Sequence, residues 1–351
     1  MNDRSEPVFV HNAWYVAAWS AELGRSLLSR RILGEPVVMF RRQDGTPVAF
    51  VDRCPHRLAP LSRGELVGDL LQCGYHGMQY DTAGVCVRIP GQPPIPKAAR
   101  LRAFPLVEKF NAVWIWPGDP EKADASTIFD IPQYGQPDWG LVDGQYLHFA
   151  TSYLNLTDNL VDPAHTSYVH KRTIGNAGGE DVPVQVEHDE GHVVAYRWVA
   201  GAEPVPIMKT YGKFAGLIDR WQYYHLYLPS NSYVDFGAMD TGGARTEEAK
   251  DRAFRSFTFN LLTPETATTT QYFWLHLRNY AVGDAEVDAD IARLYKLTFE
   301  EDRDILAAIQ EQQNLTGVRE YVKLSIDQAP QRARLMIQRM IDAERTPLAA
   351  E

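Results

Sequence analysis

The sequence predicts an α+β chain of two domains: an all-β N-terminal domain over residues 1–118, and an antiparallel sheet packed against helices over 119–351. Three observations point there. At 351 residues the chain exceeds what one hydrophobic core usually organises. The first third breaks into short β-rich runs, whereas helical periodicity takes over near residue 284. Between them, Pro117-Gly118 gives way to a polar stretch over 121–127, the composition shift expected of a linker.

In order along the chain, residues 36–41, 47–51 and 84–89 are β-rich runs bounded by Gly, Pro and Asp. Residues 90–96 form a proline-stiffened loop, and 113–116 read as a strand that closes the domain. The second domain is expected to hold one helix near 152–168 and strands at 193–198, 221–228, 254–262 and 268–277. A long helix follows from about 284 to 313, then another from 328 to 343. The chain has no internal repeat and no low-complexity segment.

Composition narrows the class. Hydrophobic residues make up 45% of the chain, yet no run approaches the apolar length of a membrane span, so a soluble protein away from the membrane is expected. The first seven residues lack the apolar core of a secretory signal. Three cysteines leave no room for a disulfide framework and fit a reducing cytoplasm. A net charge of −10 argues against a nucleic-acid partner.

The densest chemistry lies at Cys54-Pro55-His56 and, sixteen residues on, Cys73-Gly74-Tyr75-His76. Each half offers one thiolate and one imidazole. A [2Fe–2S] centre with Cys on one iron and His on the other takes that mixed set, and neutral imidazoles raise its potential to about −150 to +300 mV. The protein is then expected to handle electrons singly. Structural zinc is the alternative, but zinc modules usually pair like ligands within each half. Pro55 stiffens one loop, and Gly74 and Gly77 let backbone N–H groups approach the sulfurs. Cys86 stays outside the set.

A second constellation follows at Asn159, Asp162, His165 and His170. The first three recur every third residue, one stripe if the segment is helical. His165 and His170 stand roughly 140° apart on an ideal helix, so they can share a metal only if the helix ends or bends between them. In the late helix, Ile291, Leu294, Tyr295, Ile305, Leu306 and Ile309 mark one face, and Asp302 falls near its centre. A buried carboxylate needs a partner. A cation such as Fe(II) would serve, and so would an arginine or a proton. With the two histidines, Asp302 would complete a two-His-one-carboxylate triad, the set that leaves positions open for O2 on non-haem iron.

CPHR at Cys54 and CGYHGMQYD at Cys73 resemble the cluster loops of the Rieske non-haem iron oxygenases. With HNAWYVAAW from His11, VWIWPGDP from Val113 and LTPET from Leu262, the chain is similar to the oxygenase components of the vanillate and dicamba O-demethylase group. The resemblance implies an N-terminal Rieske domain and a helix-grip catalytic domain. It assigns Cys54, His56, Cys73 and His76 to the cluster, and His165, His170 and Asp302 to mononuclear Fe(II). It makes Asp162 the carboxylate that joins one subunit's cluster to the next subunit's iron in a head-to-tail homotrimer, with Asn159 beside it, both catalytic. Glu301-Asp302 matches the acidic pair of the family's late helix. The implied reaction is O2-dependent hydroxylation of an aryl O-methyl group, giving a hemiacetal that collapses to a phenol and formaldehyde. Other hydroxylation or dihydroxylation of an aromatic or small organic substrate is the alternative, and a Rieske electron carrier a further one. The chain has no nucleotide fingerprint, so a separate flavin and iron–sulfur reductase, or a ferredoxin with its reductase, must supply electrons.

The substrate pocket is the least defined part. Asn260 aligns with a substrate-contact region of the dicamba-type members, and Tyr272, Trp274 and His276 alternate onto one side of a strand. Asn260, Trp274 and His276 are the pocket candidates, with sheet core as the alternative.

Overall fold

In the computed structural model the described residues are 9–175, 178–318 and 322–345. They divide into two compact units, the first reaching Ile128 and including Thr263–Ala267, the second holding the rest.

The first unit is built from short strands. They are β1 (Tyr15–Trp19), β2 (Leu28–Ile32), β3 (Glu35–Arg41), β4 (Pro47–Val51), β5 (Glu65–Val67), β6 (Leu70–Gln72), β7 (Gln79–Tyr80), β8 (Cys86–Arg88), β9 (Leu106–Lys109) and β10 (Ala112–Ile115). They form three small antiparallel sheets, ordered β1-β10-β9, β2-β3-β4 and β5-β6-β7-β8. The valine- and phenylalanine-rich runs at β3 and β4 bury Val38, Phe40 and Phe50 in one core with Cys54, Leu71, Cys73 and Tyr80. The two cysteine loops therefore spring from the packed end of that core.

The second unit is a seven-stranded sheet. Its strands are β11 (Gly140–Phe149), β12 (Gln185–His188), β13 (His192–Ala202), β14 (Ile218–Tyr227), β15 (Asn231–Asp240), β16 (Phe254–Thr266) and β17 (Thr269–Arg278), in the order β11-β17-β16-β15-β14-β13-β12. Helices α1 (Tyr153–Leu160), α2 (Thr166–Val169), α3 (Pro206–Gly212), α4 (Glu247–Arg252), α5 (Ala285–Thr316) and α6 (Gln328–Arg345) complete it. α5 lays Ile291, Tyr295, Phe299 and Leu306 into one core with Leu156, Leu262, Tyr272 and Trp274. Its ends are set chemically: Asp284 accepts the N–H groups of Glu286 and Val287, and Gly317 takes a left-handed φ of 68° that returns its N–H to Gln313.

Two expectations need correction. The helix expected at 152–168 is two pieces, because α1 stops at Leu160 and only a single turn, α2, follows Pro163. The residue before a proline is pushed out of the α region, so the stripe Asn159–Asp162–His165 is not helical. On α5, Ile305 and Ile309 are 45% and 41% exposed, while Thr298, Asp302 and Gln310 are buried. The buried stripe follows 291, 295, 298, 302, 306 and 310, a spacing close to the helical repeat, and the two isoleucines sit one step off it.

Candidate metal centres

The first centre is the pair of loops carrying Cys54-Pro55-His56 and Cys73–His76. Each is a tight turn closed onto its own cysteine: Leu58 N–H donates to the Cys54 carbonyl at 2.9 Å, and Gly77 N–H to the Cys73 carbonyl at 3.0 Å. Gly77 adopts φ 67°, which suits glycine, and a Cβ at Gly74 would stand 2.7 Å from the Arg63 carbonyl oxygen. Both thiols are buried and both imidazoles exposed. The Nδ1 atoms of His56 and His76 face one another at 3.2 Å. The Tyr80 hydroxyl lies 3.3 Å from Cys54 Sγ. Burial pushes the Cys73 thiol up, while N–H groups of Tyr75 and His76 aimed at its sulfur work against that rise. Two sulfurs inside, two nitrogens outside and N–H donors on the sulfur fit a cluster with unlike ends.

The second centre lies in the sheet-and-helix unit. His165 precedes α2 and His170 follows it, so the helix ends where the shared-metal condition required. Their Nε2 atoms are 3.3 Å apart, and Asp302 Oδ1 on α5 lies 3.6 Å from one and 3.3 Å from the other. Among the described residues, these three form the group able to share a metal, all ligand atoms lying within 4.8 Å.

Each of the three side chains is held from behind. His170 Nδ1 donates to Glu301 at 3.0 Å, and Thr173 donates to the same carboxylate oxygen at 2.7 Å. His165 Nδ1 donates to the backbone carbonyl of Asp162, whose own carboxylate stands 3.8 Å away and accepts Ala164 N–H at 2.8 Å. Asn159 donates to Asp302 Oδ1 at 3.0 Å. Arg197 secures the loop by donating to the carbonyls of Pro163 and Gly179 at 2.9 and 2.6 Å.

Burial holds His165 below its usual pKa despite Asp302 and Asp162. Burial also opposes charge on His170, but bonds to Asp302 and Glu301 outweigh it and leave that imidazole raised. Fixing each outer nitrogen turns both Nε2 atoms toward Asp302, the usual preparation for a metal. Three such ligands on one side would leave room for other molecules on a bound metal.

The triad opens into a cavity lined by residues of three strands: Arg220, Trp221, Gln222 and Tyr224 on β14, Val234 and Phe236 on β15, Thr258 and Asn260 on β16. Tyr295 and Phe299 line it from α5, Ile207 and Met208 from α3. Asn260 thus shares a cavity with the triad, its side-chain oxygen accepting the Tyr272 hydroxyl at 2.8 Å. Trp274 and His276 stand behind this surface. Trp274 packs edge-on to Phe299, and His276 lies 4.5 Å from the Tyr295 ring and 2.9 Å from Thr258 Oγ1. Sequence reasoning gave no role to Glu301, Thr173, Arg197 or Arg220. Glu301 had the one available signal, its place beside Asp302.

Known proteins match both regions of the chain. Residues 13–105 match the Rieske [2Fe-2S] domain, and 149–343 match the vanillate O-demethylase oxygenase C-terminal domain. A putative iron–sulfur subunit of a toluene-4-sulfonate monooxygenase system from Comamonas testosteroni is 36% identical, over 96% of this chain and 98% of that protein. The oxygenase component of dicamba O-demethylase from Stenotrophomonas maltophilia is 34% identical, over 96% and 99%. Crystal structures of dicamba monooxygenase superpose with a TM-score of 0.88 when bound to 3,6-dichlorosalicylic acid, at 33% identity over 97% of this chain and 99% of that one. The form with non-haem iron and dicamba gives 0.81, at 32% identity over 96% and 98%.

Proposed function

The chain belongs to the Rieske non-haem iron oxygenases, in the group with a vanillate O-demethylase oxygenase C-terminal domain, and on that basis we propose that it O-demethylates a methoxylated aromatic acid resembling vanillate. It is the oxygenase component of a multicomponent system. The observation that carries the reading is the convergence of His165, His170 and Asp302 on one cavity in a chain that also bears a Rieske domain.

In this reading Cys54, His56, Cys73 and His76 hold the [2Fe–2S] cluster of residues 1–118, and His165, His170 and Asp302 hold iron in 119–351. When bound, the cluster passes electrons one at a time and the mononuclear iron activates O2 toward a C–H bond. Glu301 and the Asp162 carbonyl keep both Nε2 atoms pointed at the metal position. Asn159 steadies the carboxylate between them. Ile207, Met208, Phe236 and Phe299 exclude water and press the methoxy carbon toward the triad. Aryl methyl ether, O2, two electrons and two protons yield the hemiacetal and water, and the hemiacetal breaks to a phenol and formaldehyde. Electrons come from a separate reductase or ferredoxin in the cytoplasm. Asp162 would relay them to the triad from a cluster held by a neighbouring copy in a homotrimer.

The toluene-4-sulfonate relative favours a second reading, hydroxylation of an aryl methyl group, which releases no formaldehyde. A screen of methoxy- and methyl-arene acids with a surrogate reductase separates the two. O2 uptake matched by formaldehyde supports demethylation, and uptake with a hydroxymethyl product and no formaldehyde supports the second reading. No substrate-dependent uptake across either series sinks both.

A further inference from the structure

Tyr295 is buried on α5, yet it lines the cavity of the triad. It precedes Asp302 by seven residues on the buried stripe, two helical turns or about 10.5 Å along the axis. That separation suits one substituted ring with a hydrogen bond at its far end. Phe236, Phe299, Ile207 and Met208 line the same cavity, so a phenol among them is a polar point on an apolar wall.

Behind the wall, His276 on β17 is wholly buried, its ring 4.5 Å from that of Tyr295. Burial carries His276 down to about 3, so at neutral pH it bears one ring hydrogen. Its Nε2 has no hydrogen-bond partner among the described residues, whereas Nδ1 lies 2.9 Å from Thr258 Oγ1. A bare buried N–H is rarer than a bare buried acceptor, which puts the hydrogen on Nδ1, donated to Thr258. Thr258 lines the cavity too, and its hydroxyl acts on Tyr295 in the sense that eases ionisation of the phenol, as a donor does. The bonds then run one way, from His276 to Thr258 to Tyr295, and leave the phenol hydrogen for the cavity.

We propose that Tyr295 is a specificity-determining residue: its hydroxyl donates to an oxygen of an acid or phenol group on the substrate ring, and so turns the alkyl group to be oxidised toward the triad. This rests on reading the cavity as the substrate site. His276 is a positioning residue, which acts through Thr258.

Anaerobic calorimetry on the iron-loaded full chain, without reductase or O2, tests the assignment. The probes are toluene-4-sulfonate, 3-methoxybenzoate and 4-methylphenol, against toluene and methoxybenzene, which lack the second substituent. The unsubstituted chain is expected to prefer at least one substituted probe to its plain parent, and the preferred one tells acid from phenol. Tyr295→Phe should weaken that probe by about 10–100-fold for an acid or about 2–10-fold for the phenol, and leave the plain parent unchanged. Should that variant fail to fold, Thr258→Val decides, since it removes the hydroxyl and should weaken the same probe alone. His276→Phe should cost that probe about 2–10-fold, and His276→Asn, which offers an N–H in place of Nδ1–H, should restore it. No preference in the unsubstituted chain, unchanged affinity in the Tyr295 variant, or equal loss of substituted and plain probes overturns the proposal. His276→Asn as weak as His276→Phe overturns the part given to His276. Because nothing turns over in this assay, a failed substrate screen would sink the oxygenase reading separately.

Discussion

Glu301 takes the outer nitrogen of His170 while Thr173 holds the same carboxylate oxygen, so its effect on the metal is indirect. Glu301→Gln should leave the fold intact and lower metal affinity about 10–100-fold, the usual consequence of removing such a partner. Metal retained after dialysis, measured beside the melting temperature, checks this; wild-type retention would contradict it. Asp162→Asn keeps the backbone carbonyl that His165 uses, so both metals should stay bound while product formation falls. Full turnover in that variant would remove the carboxylate from the electron path. At the cluster, Tyr80→Phe deletes a hydroxyl 3.3 Å from Cys54 Sγ and should make the midpoint potential more negative, as lost hydrogen bonds to sulfur do. At this scale the ligand types were readable because Cys and His are rare and their spacing is tight. The part played by Glu301 was not, because its place beside Asp302 marks the position while only packing shows it turned to His170.

Among the elements, the break between α1 and α2 does the most for the site. An unbroken helix through 152–168 would set His165 and His170 roughly 140° apart, whereas Pro163 ends it and brings their nitrogens to 3.3 Å. The proline was visible in the sequence, but its consequence depends on Arg197 holding the loop from another strand. The strongly β-branched and aromatic runs of β13, β14, β16 and β17 were legible. β11 and β15 were not, since Asp143-Gly144 and the Asn231 and Gly237 positions look like turns until neighbouring strands supply the pairing. On β17, burial carries His276 down to about 3. The folded chain keeps it neutral while the unfolded chain protonates it below about 6.5, so stability is full above that pH and falls as pH drops toward 3. Urea midpoints at about pH 7 and pH 5 should show this loss, up to about 1.4 kcal/mol per pH unit for one such group. His276→Phe should flatten it, and an unchanged slope would mean that His276 titrates in the native chain.

For the molecule as a whole, the two units divide the labour: one buries two sulfurs beneath two exposed imidazoles, the other folds a sheet and α5 around two histidines and a carboxylate able to hold a metal. The division was legible from the change of periodicity along the chain. No helix among the described residues is long and apolar enough to cross a membrane. The account stands on two unlike iron centres, and iron and sulfide analysis with EPR, on the native chain and on Asp302→Ala, tests that most directly. The native chain should hold about three irons per chain and show the low-g signal of a histidine-ligated [2Fe–2S] cluster on reduction. The variant should drop to about two with that signal unchanged. Two irons in both proteins, or zinc in place of iron, would contradict the account.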